Sequence, residues 1–228
     1  MLSAIAIVPS APVLVPELAS GAADELAGLR DAVFGAAAGL PDRWVAVGVG
    51  SVDAVIRSDA VGTFAGYGVD VPVALAPGGS GAPSVLPLCA LITGWVRGRV
   101  NPRARAEVRV HAHDLGVDAA MARGRTLRAE IDEAADAVGV LVVADGAHTL
   151  GPTSPGGYDP DSVPVQAALD DALACGDVAA LATLPVGVIG RVAYQVLAGL
   201  VEPAPASARE WYRGAPYGVG YFAGVWIP

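Results

Sequence analysis

"GVLVVADGAHTLGPTSPGGYDP", residues 139–160, decides the fold. Residues 139–144 run apolar without a polar break, as a strand buried on both faces does. The run stops at Asp145. Gly146, Ala147 and His148 follow, and then a stretch rich in Gly, Pro, Ser and Thr that reads as a loop. A buried strand that ends this abruptly, with a histidine just past its end, fits an open α/β sheet. Such sheets gather ligands outside the carboxyl ends of their strands.

The same alternation extends outward. Strands are expected at "LSAIAIV" (2–8), "WVAVGVG" (44–50), "VDVPVALA" (69–76), "AEVRVHAH" (106–113) and "YGVGYFAGVWI" (217–227). Pro72 cannot donate to a ladder, which places the 69–76 run near an edge. Helical patterns cover 19–38, 84–97, 117–136, 162–174, 176–183 and 189–201, with a "PGGSGAP" loop at 77–83. Strands alternating with helices predict a single α/β domain over residues 1–228. Its central sheet is expected to be mostly parallel or mixed, flanked by helices. No linker with a composition shift and no internal repeat breaks the pattern.

Composition narrows the class. The chain is 54% hydrophobic and 16% charged, which excludes a disordered chain. No window approaches about 18 consecutive strongly apolar residues, so no membrane span is expected. The start, "MLSAIAIVPSAPVLVPEL", has no basic opening and carries three prolines. It reads as a first core strand and a proline-rich loop rather than a signal peptide, and a cytoplasmic protein is expected. The net charge is -9, which argues against a nucleic-acid partner. Every basic residue is arginine, which points to a GC-rich, bacterial coding sequence. The one basic cluster, Arg97 to Arg109, reads as a solvated connection between a helix and a strand. Cys89 and Cys175 lie in apolar helical contexts and read as two buried reduced thiols.

Few catalytic motifs are present. "GVGSVD" (48–53) follows a strand but is not GxGxxG, and no P-loop lysine or GxSxG elbow exists. His111 and His113 stand two apart on an expected strand, hence on one face, where a pair can chelate a metal. Solvent-facing imidazoles at a strand end are the plainer alternative. His148 is the stronger candidate for proton transfer, with Asp145 three residues away to set its tautomer. The plainer alternative has Asp145 capping the turn and His148 bonded to its loop.

The segment "ADGAHTLGPTSPGGYDPDSVPVQAAL" resembles the "SGDLSH…GYDP" segment of proteins related to the B subunit of class III extradiol ring-cleavage dioxygenases. Memo-like proteins are among those relatives. "AIVPSAPVLVPEL" is similar to that family's "PHPPLLVPE" opening, and "APYGVGYFAGVW" to its closing strand. The three segments match in order and spacing, so the resemblance spans nearly the whole chain. It implies an α/β domain whose enzymes hold a non-haem Fe(II) with two histidines and a glutamate, with a further histidine as acid/base. His148 matches that acid/base position.

The family's metal ligands have no counterparts. Ser10 stands where the first histidine falls. Ser51 and Asp53 stand where the second follows its strand. Gly187, Gly190 and Arg191 occupy the region of the third ligand, which is Glu in the dioxygenases and often Cys in Memo-like relatives. The expectation is therefore a diverged, metal-free member without a cofactor. Its pocket would bind a small molecule or partner through His148 and Asp145, with Ser10, Ser51, Tyr158 and Asp159 as further contacts. The alternative is an active Fe(II) dioxygenase with a relocated site of Asp53, His111, His113 and His148. A metal-independent hydrolase or isomerase would use His148 and Asp145 with Ser10, Ser51, Thr149 or Ser154 as nucleophile. Low charge and high apolar content also point to a homo-oligomer, as the resemblance does.

Overall fold

A computed structural model describes every residue except Ser20, Ala22 and Ser80. Ser20 and Ala22, in the expected 19–38 helix, and Ser80, in the expected 77–83 loop, lie outside the described residues. The strands are β1 (Leu2–Val8), β2 (Arg43–Gly50), β3 (Ala54–Ile56), β4 (Val61–Thr63), β5 (Pro72–Ala74), β6 (Arg105–Ala112), β7 (Val138–Val143), β8 (Ser207–Gly214) and β9 (Tyr221–Ile227). The helices are α1 (Pro16–Ala19), α2 (Ala27–Ala37), α3 (Leu88–Val100), α4 (Val117–Asp132), α5 (Ser162–Cys175), α6 (Val178–Ala182) and α7 (Arg191–Val201).

Seven strands form a mixed sheet in the order β3-β6-β2-β7-β1-β9-β8. The inner four, β6, β2, β7 and β1, run parallel, and β3, β9 and β8 are antiparallel to their neighbours. The alternating side chains of each strand feed two cores. Ala4, Ala6, Val8, Trp44, Ala46, Leu141 and Val143 pack on α2 and α3. Ile5, Ile7, Val45, Val47, Val140 and Val142 pack on the opposite face, with α4 to α7. Both faces are covered, which is why these strands read as unbroken apolar runs.

Several expectations differ from the structure. The 69–76 strand shrinks to Pro72–Ala74 and pairs with β4 in a separate two-stranded ribbon. Pro72 has no N–H to donate, and the bond from the Ala106 N–H to the Leu75 carbonyl ties this segment to β6. The expected 19–38 helix begins only at Ala27, as α2; the Arg30 guanidinium donates to the Ala23 carbonyl in the turn that precedes it. Cys175 is exposed at the end of α5, whereas Cys89 is buried.

The 117–136 helix ends at Asp132, where the Met1 ammonium donates to the Ile131 carbonyl at 2.9 Å. α4 and α7 cross backbone against backbone. A Cβ on Gly124 would fall 2.1 Å from the Val196 carbonyl oxygen, and one on Gly199 would fall 2.1 Å from that of Met121.

Candidate functional site

β1 and β7 are parallel neighbours whose chains leave in opposite directions. β1 leads to α2 on one face, and β7 leads to α5 on the other. In open α/β sheets such a divergence is where ligand crevices form. Asp145 stands at that point, just past the end of β7. The Ser10 N–H donates to Asp145 Oδ1 at 2.8 Å, joining the two chain exits. The Asp145 residue keeps partial exposure, yet its carboxyl is set deep among protein atoms. Burial pushes the acid up to about 7, and the Ser10 hydrogen bond opposes that rise.

The start of α7 presses against the same point. The Gly190 N–H donates to the Asp145 carbonyl at 2.8 Å. A Cβ on Gly190 would meet the Ala144 Cβ and the Asp145 carbonyl oxygen at 2.6 Å, so the approach requires glycine. The Tyr194 hydroxyl donates to the Ala144 carbonyl at 3.0 Å. Burial first, and the Asp145 charge second, raise the Tyr194 and Tyr221 phenols above their ordinary value.

The turn that carries His148 is laced on several sides. The Gly146 N–H donates to Gly220 and the Gly220 N–H to Ala147, both at 2.8 Å. The Ala147 N–H donates to Gln166 Oε1 at 2.8 Å, and Gln166 Nε2 donates to Asp170 Oδ1 at 2.8 Å. Gln166 and Asp170 are both buried, and burial pushes the Asp170 acid up to about 6. Sequence reasoning missed this pair. The available signal was two polar residues four apart on the face of α5 that also carries Leu169 and Leu173.

The expected pairing of Asp145 with His148 is not made. Asp145 turns to the Ser10 N–H, and the buried Nδ1 of His148 has no hydrogen-bond partner among the described residues. The intervening turn spends its polar groups on Gly220 and Gln166 and holds the two side chains apart. The 149–160 loop then folds back over the imidazole. The Gly156 N–H donates to the His148 carbonyl at 3.1 Å, and a Cβ on Gly156 would fall 2.5 Å from Cδ2 and Nε2.

Other expected contacts stand apart. Tyr158 is exposed. Asp159 frames the start of α5, accepting from the Asp161 N–H at 3.0 Å and the Ser162 hydroxyl at 3.3 Å. Ser154 pins the loop, accepting from the Gly151 N–H at 2.7 Å and donating to the Gly218 carbonyl at 3.1 Å. Thr149 shares a 2.6 Å hydrogen bond with Ser162. Ser51 is exposed beyond β2.

Asp53 accepts from the Ala112 N–H at 2.8 Å and from Arg123 at 3.2 Å. It lies near His111, whose charged form burial disfavours and Asp53 favours. β6 ends at Ala112, so His113 does not continue the face of His111. It is exposed, and its carbonyl accepts from Arg191 at 3.4 Å. Among the described residues no three His, Cys, Asp or Glu side chains gather as a metal ion would need. At the positions the resemblance assigns to ligands stand Ser10, the engaged Asp53, two glycines and the Arg191 guanidinium. That set does not fit a two-histidine, one-carboxylate Fe(II) centre.

The cavities of about 720 and 380 Å³ lie between β6 and α4, and a third of about 610 Å³ lies beside Met121 and Pro203. None of the three is lined by Asp145 or His148, because the returning loop packs over the imidazole.

No family model and no curated protein matches the chain. Among solved structures, the uncharacterized protein JW3007 from Escherichia coli K12 is similar, with a TM-score of 0.56 at 12% identity. The likeness covers 99% of this chain and 100% of that one. At that identity it shows the fold alone: a mixed central sheet flanked by helices.

Proposed function

We propose that this chain is a metal-independent, small-molecule-binding protein on a scaffold resembling the class III extradiol dioxygenase B subunit. Its site is the crevice between the carboxyl ends of β1 and β7. The observation that carries the reading is Asp145. A carboxyl group is held at that crevice by a single Ser10 N–H, with its acid pushed up to about 7. Strongly perturbed acids concentrate at functional sites. Near neutral pH the carboxyl exists in both forms, so it can donate to or accept from a ligand hydroxyl or carbonyl. His148 is a further polar group of the same turn, which a ligand reaches when the 149–160 loop moves aside.

The donor set argues against iron in this role. The test is metal content by mass spectrometry after anaerobic reconstitution with Fe(II) and Zn(II) and desalting. The expected result is metal well below stoichiometric. About one metal per chain, lost in His148→Ala, would overturn the reading and restore an Fe(II) enzyme. Self-association belongs to the same proposal, supported by the exposed Val52, Val55, Val186 and Trp211. Light scattering checks it, and a strict monomer at high concentration rules it out. Among the described residues no helix is long and apolar enough to cross a membrane.

A further inference from the structure

The 149–160 loop that covers His148 is itself held from one side, and its holder is strained. The connection between β8 and β9 carries Tyr217 at φ 62° and ψ 19°, in the left-handed region. Tyr217 is the one non-glycine residue at positive φ among the described residues. Its Cβ makes that conformation costly, and tyrosine has no short polar side chain to offset the cost locally. Gly218 follows at φ 75°. Such outliers persist only where surrounding contacts over-determine them.

Two sets of contacts hold this one. On the first side, the Tyr217 hydroxyl donates to Glu25 Oε2 at 2.9 Å, across 192 positions of sequence. Glu25 lies in the turn before α2, and both residues are exposed. On the second side, the Gly218 carbonyl accepts from the Leu150 N–H and from the Ser154 hydroxyl, both at 3.1 Å. A Cβ on Gly218 would run into the Ser154 hydroxyl, so the two loops touch closely. Ser154 is buried, and its carbonyl accepts from the Gly157 N–H at 3.0 Å, closing the turn that carries Gly156. Gly156 lies against the imidazole, and its N–H reaches the His148 carbonyl. One chain of contacts thus runs from Glu25 through Tyr217, Gly218 and Ser154 to the cover of His148. Its outer end is a single exposed hydrogen bond, and the strained backbone of Tyr217 works against it.

We propose that Tyr217 and Glu25 form a latch on the site. Closed, their bond offsets the left-handed backbone and holds the 149–160 loop over the imidazole. Broken, Tyr217 relaxes to negative φ, the Gly218 carbonyl turns away from Leu150 and Ser154, and the loop is released. The latch rests on the reading that a ligand reaches His148 when that loop moves aside, and it names what controls entry.

Amide hydrogen exchange reads the latch without a ligand. Tyr217→Phe removes one hydroxyl. It should speed exchange at the Leu150 and Gly156 N–H groups about threefold to tenfold, the scale of one exposed hydrogen bond. The Phe64 N–H, which donates to the Val71 carbonyl at 3.1 Å and extends the β4–β5 ribbon, should keep its rate. Glu25→Ala removes the same bond from its other end, and it carries the same expectation if Tyr217→Phe fails to fold. The double variant should exchange no faster than either single one. Unchanged rates at Leu150 and Gly156, acceleration confined to the Gly218 N–H, equal acceleration at Phe64, or additive effects in the double variant would overturn the latch. Metal content separates this test from that of the site itself. Faster exchange in a protein that binds iron would refute the small-molecule reading and leave the latch standing, whereas unchanged exchange in a metal-free protein would refute the latch alone.

Discussion

Replacing Asp145 by Asn should make the protein more stable, and only at higher pH. Burial holds the Asp145 acid at about 7 in the folded chain, whereas an aspartic acid in an unfolded chain titrates near 3.9. Between those values the folded state keeps a proton that the unfolded state has released, so stability falls as pH rises. The contribution is fully present below about pH 4, is lost progressively up to about 7, and is absent above that. Three pKa units correspond to about 4 kcal/mol, which the partial exposure of the residue reduces. Asn keeps an oxygen for the Ser10 N–H and has no proton to lose. Asp145→Asn should therefore exceed the parent by about 2 to 4 kcal/mol at pH 8, with the gap closing near pH 4. The other titrating groups, Asp170 among them, are common to both proteins and cancel in the difference. Guanidinium denaturation at steps from pH 4 to pH 9 reads the gap directly. A gap independent of pH, or an Asn variant weaker at pH 8, refutes the burial argument.

The crossing of α4 and α7 leaves no room for a methyl group, so Gly199→Ala should cost about 1–3 kcal/mol and lower the melting temperature; an unchanged melt contradicts the close approach. Gln166→Leu strands the Ala147 N–H and the Asp170 carboxyl and should cost about 1–3 kcal/mol. An unchanged melt would remove Gln166 from its place under the His148 turn. Cys89 is buried with its thiol pushed up to about 12, and Cys175 is exposed. Ellman's reagent should therefore titrate Cys175 alone in the folded protein and both thiols after denaturation. Prompt reaction of both contradicts the packing of α3.

The runs at 2–8, 44–50 and 139–144 were legible because their strands are apolar on both faces, and 106–113 because apolar and polar residues alternate along it. The order in which they pair was not, since no local pattern says that β7 inserts between β1 and β2. β8 was missed for a physical reason. "SAREWYRG" alternates exposed and half-buried positions along a sheet edge, so it carries no apolar run. At the site, the position of His148 just beyond a strand could be read directly. The partner of Asp145 could not, because it is a main-chain N–H from a residue 135 positions away. The spacing of Asp145 and His148 invited a pairing that the turn between them prevents. Tyr194 was hidden in an apolar helix, where its hydroxyl looked like any other core aromatic until its carbonyl partner was seen.

The crevice at Asp145 is a product of where the chain goes, not of which side chains line it. Two parallel neighbours send their continuations to opposite sides of the sheet, and the gap follows from that routing alone. Its lining and its frame can therefore change independently in evolution. The apolar strands that set the routing are distinct from the polar groups at their carboxyl ends, so a substitution such as Asp145→Asn alters the chemistry there without altering the path of the chain.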